Sequence, residues 1–227
     1  MKQGTWRRTE LKVGASSAVL DMPSDAAALF VLAHGAGAGM RHPFLEDLAR
    51  FLCDEQVATL RYQFPYMERK SKRPDHRSVL LAAVRSAVEA GRKACPSLPL
   101  IAGGKSMGGR MTSLAASEEP LPDVRGIVFV GFPLHAPGKP SSDRAAHLEE
   151  VRIPMLFLQG TRDNLSDLSL LEPVCRKLGS RATLSVIEGG DHSFHMPKRS
   201  GRTDGEVLRE LAHTIREWIT TLPPGST

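Results

Sequence analysis

The chain has 227 residues, of which 41% are apolar and 24% are charged, a composition typical of a globular protein. This length favours a single core, so we treat residues 1–227 as one domain with a frayed tail at 222–227. No apolar run approaches the roughly 18 residues of a membrane span, and no signal peptide is indicated. The three cysteines are far apart and odd in number, which argues against a disulfide framework. Free thiols fit a reducing compartment, so we expect a cytoplasmic protein. No Cys/His spacing suits zinc, and we expect no metal or cofactor.

The formal net charge is +5, and basic residues cluster at 7–8, 69–73 and 198–202. Such clusters can bind nucleic acids or other anions. They are more often a solvated surface, and with only 5% aromatic residues the chain has few rings to stack on bases. The composition therefore predicts neither a nucleic-acid partner nor a membrane partner, and it leaves the oligomeric state open.

The predicted elements begin with an edge hairpin in Thr9–Asp21, which alternates loosely around Gly14–Ser17. Continuous apolar runs follow, as expected for strands buried on both faces. These runs are Ala28–Ala33, Val57–Tyr62, Leu98–Ala102, Gly126–Val130, Ile153–Leu158 and Ala182–Ile187. Helical spacing of apolar residues occurs between them, in Pro43–Leu52, His76–Lys93, Arg110–Ser117, Leu168–Leu178 and, after a capping box, Val207–Ile219.

Strands that alternate with helices predict an α/β protein with a doubly wound, mostly parallel sheet and helices on both faces. In such sheets, ligands bind beyond the carboxyl ends of the strands. The segment between Gly131 and Ile153 is too short for a helical lid, so we expect an open, shallow site.

Gly104–Gly108 reads Gly-Lys-Ser-Met-Gly, between a predicted strand and a predicted helix. It fits the nucleophile elbow, a sharp turn that lifts a serine hydroxyl above the sheet edge and needs small residues two positions away on either side. Ser106 is therefore the candidate nucleophile. Lys105 could tune the site electrostatically, but a side chain beside the nucleophile is expected to point away from it.

A serine nucleophile needs a base, and the base needs a carboxylate that fixes its tautomer. Asp163 follows the strand Ile153–Leu158 and His192 follows the strand Ala182–Ile187, in the chain order expected of this fold. Asp167 is the alternative acid and His195 the alternative base. Asp191 is read as a loop residue, because adjacent side chains rarely form a ring hydrogen bond.

An oxyanion hole needs two backbone N–H groups. Met107 supplies the first, at a helix N-terminus that also favours negative charge. The second is expected from the glycine-rich loop His34–Met40, with Ala36 as first choice and Gly37 as second. The loop lacks the spacing of the common phosphate-binding motifs, and His34 is expected to fix its conformation.

Together these segments resemble the α/β-hydrolase superfamily and, more narrowly, the small capless hydrolases related to dienelactone hydrolase. That group includes bacterial hydrolases, subunit three of a histone-acetyltransferase complex and its testis-expressed relative. The matching segments are His34–Met40, Arg61–Tyr66, Gly104–Arg110, Gly131–His135, Gln159–Asp163 and Gly190–Phe194. The resemblance implies an α/β-hydrolase fold of about eight strands without a lid, a Ser106–Asp163–His192 triad and a small ester-like or acyl substrate.

Dienelactone hydrolase itself has a cysteine nucleophile, so serine at position 106 argues against that enzyme's substrate. Some eukaryotic relatives serve as scaffolds, which makes a non-catalytic interaction module the alternative to a carboxylesterase-like hydrolase. Thioesterase and peptidase activities would use the same triad. The loops 64–75 and 193–203 predict a mild preference for anionic substrates, because they carry Arg69, Lys70, Lys72, Arg73, Lys198 and Arg199.

Overall fold

The computed structural model describes residues 5–223, which form one eight-stranded sheet with helices on both faces. The strands are β1 Trp6–Val13, β2 Ser16–Pro23, β3 Ala28–Ala33, β4 Val57–Tyr62, β5 Leu100–Lys105, β6 Val124–Val130, β7 Met155–Gly160 and β8 Ala182–Ile187. The helices are α1 Pro43–Asp54, α2 Pro65–Glu68, α3 Arg77–Ala94, α4 Met107–Glu118, α5 Leu168–Leu178 and α6 Asp204–Thr221.

The strand order is β1-β2-β4-β3-β5-β6-β7-β8. Strands β3 to β8 are parallel, whereas β1 and β2 form the predicted hairpin and β2 pairs antiparallel with β4. The predicted doubly wound, mostly parallel sheet is therefore confirmed. Its parallel strands all end at the same edge, where ligands bind in this architecture.

The apolar runs of the central strands divide between the two faces of the sheet because successive side chains point in opposite directions. In β3, Phe30 and Leu32 pack with α1 and α6, while Leu29 and Val31 pack with α3 and α4. A third cluster joins β6 and β7 to α5. The helix α5 continues through Pro173, whose missing N–H removes one helical hydrogen bond, because its apolar face packs into this cluster.

The segment between β6 and β7 contains a 3₁₀ stretch, Asp143–Glu150, in which Ala145 and Leu148 are buried in that third cluster. Its apolar residues pack against the body of the protein, so it forms no lid. Among the helices of residues 5–223, none is long and apolar enough to cross a membrane.

The C-terminal end differs from the prediction of a frayed tail. Leu222 is buried, and the guanidinium of Arg125 donates to the carbonyl oxygens of Leu222 and Pro223. Leu222 is packed because the apolar face of α6 extends to it, whereas Pro223 is exposed and is held by the Arg125 hydrogen bond. The remainder of the predicted tail, 224–227, lies outside the described residues.

Candidate active site

Ser106 lies in the turn between β5 and α4 with φ 50° and ψ −116°, a conformation that is strained for a residue other than glycine. The glycines two positions away allow this turn. A Cβ atom at Gly104 would lie 2.3 Å from the Ala33 carbonyl oxygen, and one at Gly108 would lie 2.7 Å from the His34 carbonyl oxygen. The spacing of the motif thus reflects the close approach of β5 and α4 to the end of β3.

The structure brings Ser106, His192 and Asp163 together at the carboxyl edge of the sheet. His192 Nε2 lies 2.8 Å from Ser106 Oγ, and His192 Nδ1 lies 2.7 Å from Asp163 Oδ2. The side chain of Asp163 is fully buried, and that of His192 is 20% exposed. This arrangement leaves the imidazole accessible from the serine side while its carboxylate partner is shielded from water.

Two further donors hold the Asp163 carboxylate in place. Gln159 Nε2 donates to Oδ2 at 2.5 Å, and the Leu165 N–H donates to Oδ1 at 2.8 Å. The Gln159 amide is itself oriented, because its Oε1 accepts the Phe132 N–H at 3.0 Å. Every oxygen of the carboxylate therefore faces a donor, which fixes its orientation toward His192.

The alternative acid and base occupy structural positions elsewhere. Asp167 is the N-cap of α5 and accepts the Ser169 N–H at 2.8 Å. His195 is exposed and pairs with Asp204 at 2.7 Å. Asp191 accepts the N–H groups of Ser193 and His195, so it closes its own loop as expected of a loop residue.

The candidate oxyanion donors differ in how their N–H groups are used. The Gly37 N–H donates to the Tyr66 hydroxyl at 2.9 Å, which removes it as a donor to a substrate. Ala36 lines the same cleft as Ser106. Among the hydrogen bonds of residues 5–223, neither the Ala36 nor the Met107 N–H donates to a protein acceptor. The structure therefore favours Ala36 over Gly37.

The segment Arg61–Tyr66 anchors the loop His34–Met40, a role that the sequence did not predict. Four hydrogen bonds join the two segments. The Arg61 guanidinium donates to the Met40 carbonyl at 2.9 Å, and Gln63 Oε1 accepts the Met40 N–H at 2.8 Å. The Phe64 N–H donates to His34 Nε2 at 3.1 Å, and Tyr66 accepts from Gly37 as described. Apart from the resemblance of this segment to a family motif, no sequence signal pointed to its partner.

His34 is buried in a fixed tautomer, which agrees with its expected structural role. Because Phe64 donates to Nε2, the ring proton is on Nδ1, which donates to the Gly35 carbonyl at 2.7 Å. Burial lowers the pKa of His34 to about 4, and the Gly35 bond opposes this only in part. A proton added to Nε2 would face the Phe64 N–H donor, so the loop tolerates only the neutral ring.

We expect this histidine to make the protein less stable in mild acid. Its pKa is about 4 in the folded state and 6.5 in the reference state, so the unfolded chain binds the proton first as the pH falls below 6.5. The loss of unfolding free energy should reach about 2 kcal/mol by pH 5. Urea unfolding of wild type and His34→Gln at pH 7, 6 and 5 measures it. Equal pH slopes in the two proteins would contradict the assignment.

A second serine–histidine pair occurs in the chain, with Ser113 Oγ 2.7 Å from His147 Nε2. Ser113 is fully buried inside α4, and its hydroxyl also bonds to the Arg110 carbonyl. Burial and the nearby Arg110 charge lower the pKa of His147 to about 4. No carboxylate within residues 5–223 pairs with His147, and neither residue lines the cleft of Ser106. We therefore interpret this pair as a packing contact between α4 and the 3₁₀ stretch.

The cleft beside Ser106 has a volume of about 330 Å³. Apolar side chains form much of its wall, and His192 and Lys105 also line it; the apolar residues are Ala36, Ala38, Phe44, Leu45 and Leu165. Two larger depressions of about 590 Å³ lie near Trp6 and near Pro154, at the opposite edge of the sheet. Size alone would select those depressions, but neither contains a nucleophile paired with a base.

The basic loops do not supply the cleft with charge. None of the six predicted rim residues, Arg69, Lys70, Lys72, Arg73, Lys198 and Arg199, lines it. Arg69 instead pairs with Asp75, and Lys198 and Arg199 belong to a short 3₁₀ turn. The expected preference for anionic substrates therefore has no support from the residues that line the cleft.

Lys105 differs from the expectation that it points away from the site. Its side chain is buried in the cleft wall, and its Nζ donates to the His192 carbonyl oxygen at 2.5 Å. A lysine next to Ser106 in sequence thus contacts the main chain of His192.

No grouping of histidine, cysteine and acidic residues suited to a metal ion occurs in 5–223.

Comparison with known protein families gives a match over most of the chain. A family model described as an alpha/beta hydrolase domain matches residues 26–220. The match begins two residues before β3 and ends within α6, so it includes the nucleophile elbow and the loops that carry Asp163 and His192.

Solved structures share the architecture at low sequence identity. A dienelactone hydrolase from Anabaena variabilis is 22% identical and has a TM-score of 0.76, with 98% of this chain and 100% of that chain covered. A serine hydrolase without a lid from Xanthomonas campestris is 21% identical with a TM-score of 0.68, covering 99% and 97%. A cold-adapted esterase from an Arctic intertidal metagenomic library is 18% identical with a TM-score of 0.62, covering 94% and 95%. These similarities establish the fold.

Proposed function

Because this chain belongs to the alpha/beta hydrolase domain family, we propose that it is a serine hydrolase that cleaves ester-like acyl substrates. The observation that carries the proposal is the continuous chain of contacts from Ser106 Oγ through the His192 ring to Asp163, at 2.8 Å and 2.7 Å. Nucleophile, base and orienting carboxylate are the three groups that acyl transfer to serine requires.

In the proposed mechanism, His192 Nε2 takes the proton of Ser106 Oγ as the oxygen attacks the substrate carbonyl carbon. Asp163 accepts a hydrogen bond from Nδ1 and stabilises the imidazolium that forms. The N–H groups of Met107 and Ala36 hold the oxygen that becomes negative in the tetrahedral intermediate. His192 then protonates the leaving oxygen, an acyl group stays on Ser106, and a water molecule releases it by the same steps in reverse.

The shape of the cleft supports a small ester with an apolar acyl group. Its walls are apolar near Phe44 and Leu165, it is open to solvent, and no segment of the described chain covers it. Two of the structural neighbours are an esterase and a dienelactone hydrolase, which is consistent with ester chemistry. We also place the chain among the small capless hydrolases of the dienelactone-hydrolase type, on the motifs quoted above.

A fluorophosphonate probe, which modifies activated serines, tests this function directly. We expect the wild type to be labelled and Ser106→Ala to remain unlabelled, because the probe needs a hydroxyl that His192 can deprotonate. Ser113→Ala is the matched control, since it removes the other serine that contacts a histidine, and it should be labelled like the wild type.

Absence of labelling in the wild type, or equal labelling in Ser106→Ala, would overturn the proposal. If, in addition, a protein partner bound equally well to wild type and Ser106→Ala, the chain would be an interaction module built on a hydrolase scaffold. Turnover of a series of esters, thioesters and peptides by the unmodified wild type then defines the acyl group and the leaving group.

A further inference from the structure

Lys105 connects the nucleophile elbow to the loop that carries the base. It is the last residue of β5 and immediately precedes Ser106, while His192 lies in the loop after β8. The Lys105 ammonium donates to the His192 main-chain carbonyl at 2.5 Å. This contact joins two segments that are 87 residues apart in sequence, in addition to the hydrogen bond between the His192 ring and Ser106.

The Lys105 ammonium lies close to two aromatic rings and to Gly131. The rings of Phe44 and Phe194 have their centroids 5.8 Å from Nζ. Gly131 has φ +73°, and a Cβ atom there would lie 3.1 Å from Lys105 Nζ and 3.4 Å from the His192 carbonyl oxygen. A side chain at 131 would therefore press on both partners of the contact.

The charge of Lys105 is poorly compensated where it is buried. Burial lowers its pKa to about 8, and the more distant carboxylates of Asp163 and Asp191 raise it only in part. Within residues 5–223 the ammonium forms no ion pair. A buried cation without a paired anion is unfavourable for folding, so stability does not explain the presence of lysine at this position.

We propose that Lys105 is a positioning residue that holds the His192 main chain against the elbow, so that Nε2 stays within reach of Ser106 Oγ. This role rests on the proposed function. The preceding main chain is bonded elsewhere, with the Gly189 N–H donating to Thr161 and the Gly190 carbonyl accepting from Arg162. Among the hydrogen bonds of the described residues, the His192 carbonyl accepts only from Lys105. A displacement of about 1 Å in a catalytic group can lower a rate by about 10²-fold.

The variant Lys105→Met keeps an unbranched side chain that is one atom shorter, and it removes the donor and the charge. We expect kcat for a p-nitrophenyl ester to fall about tenfold with KM within about twofold, because the other residues that line the cleft are unchanged. The melting temperature should stay the same or rise, because the unpaired charge is gone. Lys139→Met, which removes an exposed lysine, is the matched control and should behave like the wild type.

An unchanged kcat in Lys105→Met would overturn the proposal. Loss of stability or failure to fold would also overturn it, because that is the result expected of a lysine that only supports the structure. A fall in kcat at undiminished stability would support it.

A readout that does not depend on turnover separates this proposal from the proposed function. Nuclear magnetic resonance of the His192 ring, assigned with His192→Gln, should show altered ring signals and faster exchange of the Nδ1 proton in Lys105→Met. Unaltered signals would overturn the positioning role even in a protein that hydrolyses esters. If the wild type failed to react with fluorophosphonate, the function would fail while altered signals would still support the anchor.

Discussion

Asp163→Asn is expected to lower kcat by about 10⁴-fold while leaving the fold intact, the size of effect seen when the carboxylate of a serine–histidine–aspartate triad becomes an amide. Asparagine has the shape of aspartate but replaces one acceptor oxygen with a donor. Since both oxygens of Asp163 accept hydrogen bonds, the new NH₂ group cannot avoid a donor.

The two possible orientations of the amide both disable the site. With NH₂ toward His192, the ring must accept at Nδ1 and keep its proton on Nε2, where it can no longer take the Ser106 proton. With NH₂ toward Leu165, two N–H donors face each other in a buried place, which is unfavourable. Gln159 donates to Oδ2, on the His192 side, and it cannot turn away from an NH₂ group at that position because its Oε1 accepts the Phe132 N–H.

Steady-state kinetics with a p-nitrophenyl ester, together with a melting curve, measures this effect. Asp167→Asn is the control, because Asp167 caps α5 and has no contact with His192. A loss of less than about tenfold in Asp163→Asn, or an equal loss in Asp167→Asn, would show that another carboxylate orients the histidine.

Arg61→Met is expected to lower the free energy of unfolding by about 3 kcal/mol, because removing one partner of a buried ion pair leaves the other charge uncompensated. Arg61 is fully buried in β4 and pairs with Asp21 at 2.7 Å and with Glu46 at 2.5 Å. Asp21 is 1% exposed, so water cannot replace the lost guanidinium. Arg8 still pairs with Asp21 at 2.6 Å, which places the expected cost at the lower end of the usual range.

Arg8→Met is the matched control, because Arg8 contacts the same two carboxylates from a position where 31% of its side chain is exposed. We expect it to cost about 1 kcal/mol, as for partly exposed pairs. Urea unfolding of both variants measures the difference. An equal loss of unfolding free energy in the two variants would contradict the prediction that the buried Arg61 stabilises the fold more than the partly exposed Arg8.

The fold could be predicted well because its signals are local. Apolar runs such as Ala28–Ala33 are long enough to require burial on both faces, and the helical patterns between them are regular. The boundaries were less accurate at the site: β5 extends to Lys105 and α4 begins at Met107, three residues before the predicted start. Glycines at 103, 104, 108 and 109 obscure both elements because they carry no side chain to show a pattern.

The candidate site residues could be proposed because Ser106, Asp163 and His192 each follow a strand, and parallel strands end at one edge. The contacts that Tyr66, Gln63 and Lys105 make around the site could not be predicted in this way. Tyr66 and Gln63 bond to the loop His34–Met40 through side-chain geometry that no periodicity in the sequence indicates. The direction of Lys105 depends on the space left by Gly131, more than twenty residues away in sequence.

Ala38 and Leu165 contribute to the hydrogen bonding around the site through their main-chain N–H groups. The Ala38 N–H donates to the Gly35 carbonyl and the Leu165 N–H donates to Asp163, while both side chains face the cleft. On the proposed function, selectivity can be redesigned at these two positions separately from turnover. A small combinatorial library there should then yield variants that accept bulkier or slimmer acyl chains while Ser106, His192 and Asp163 are kept.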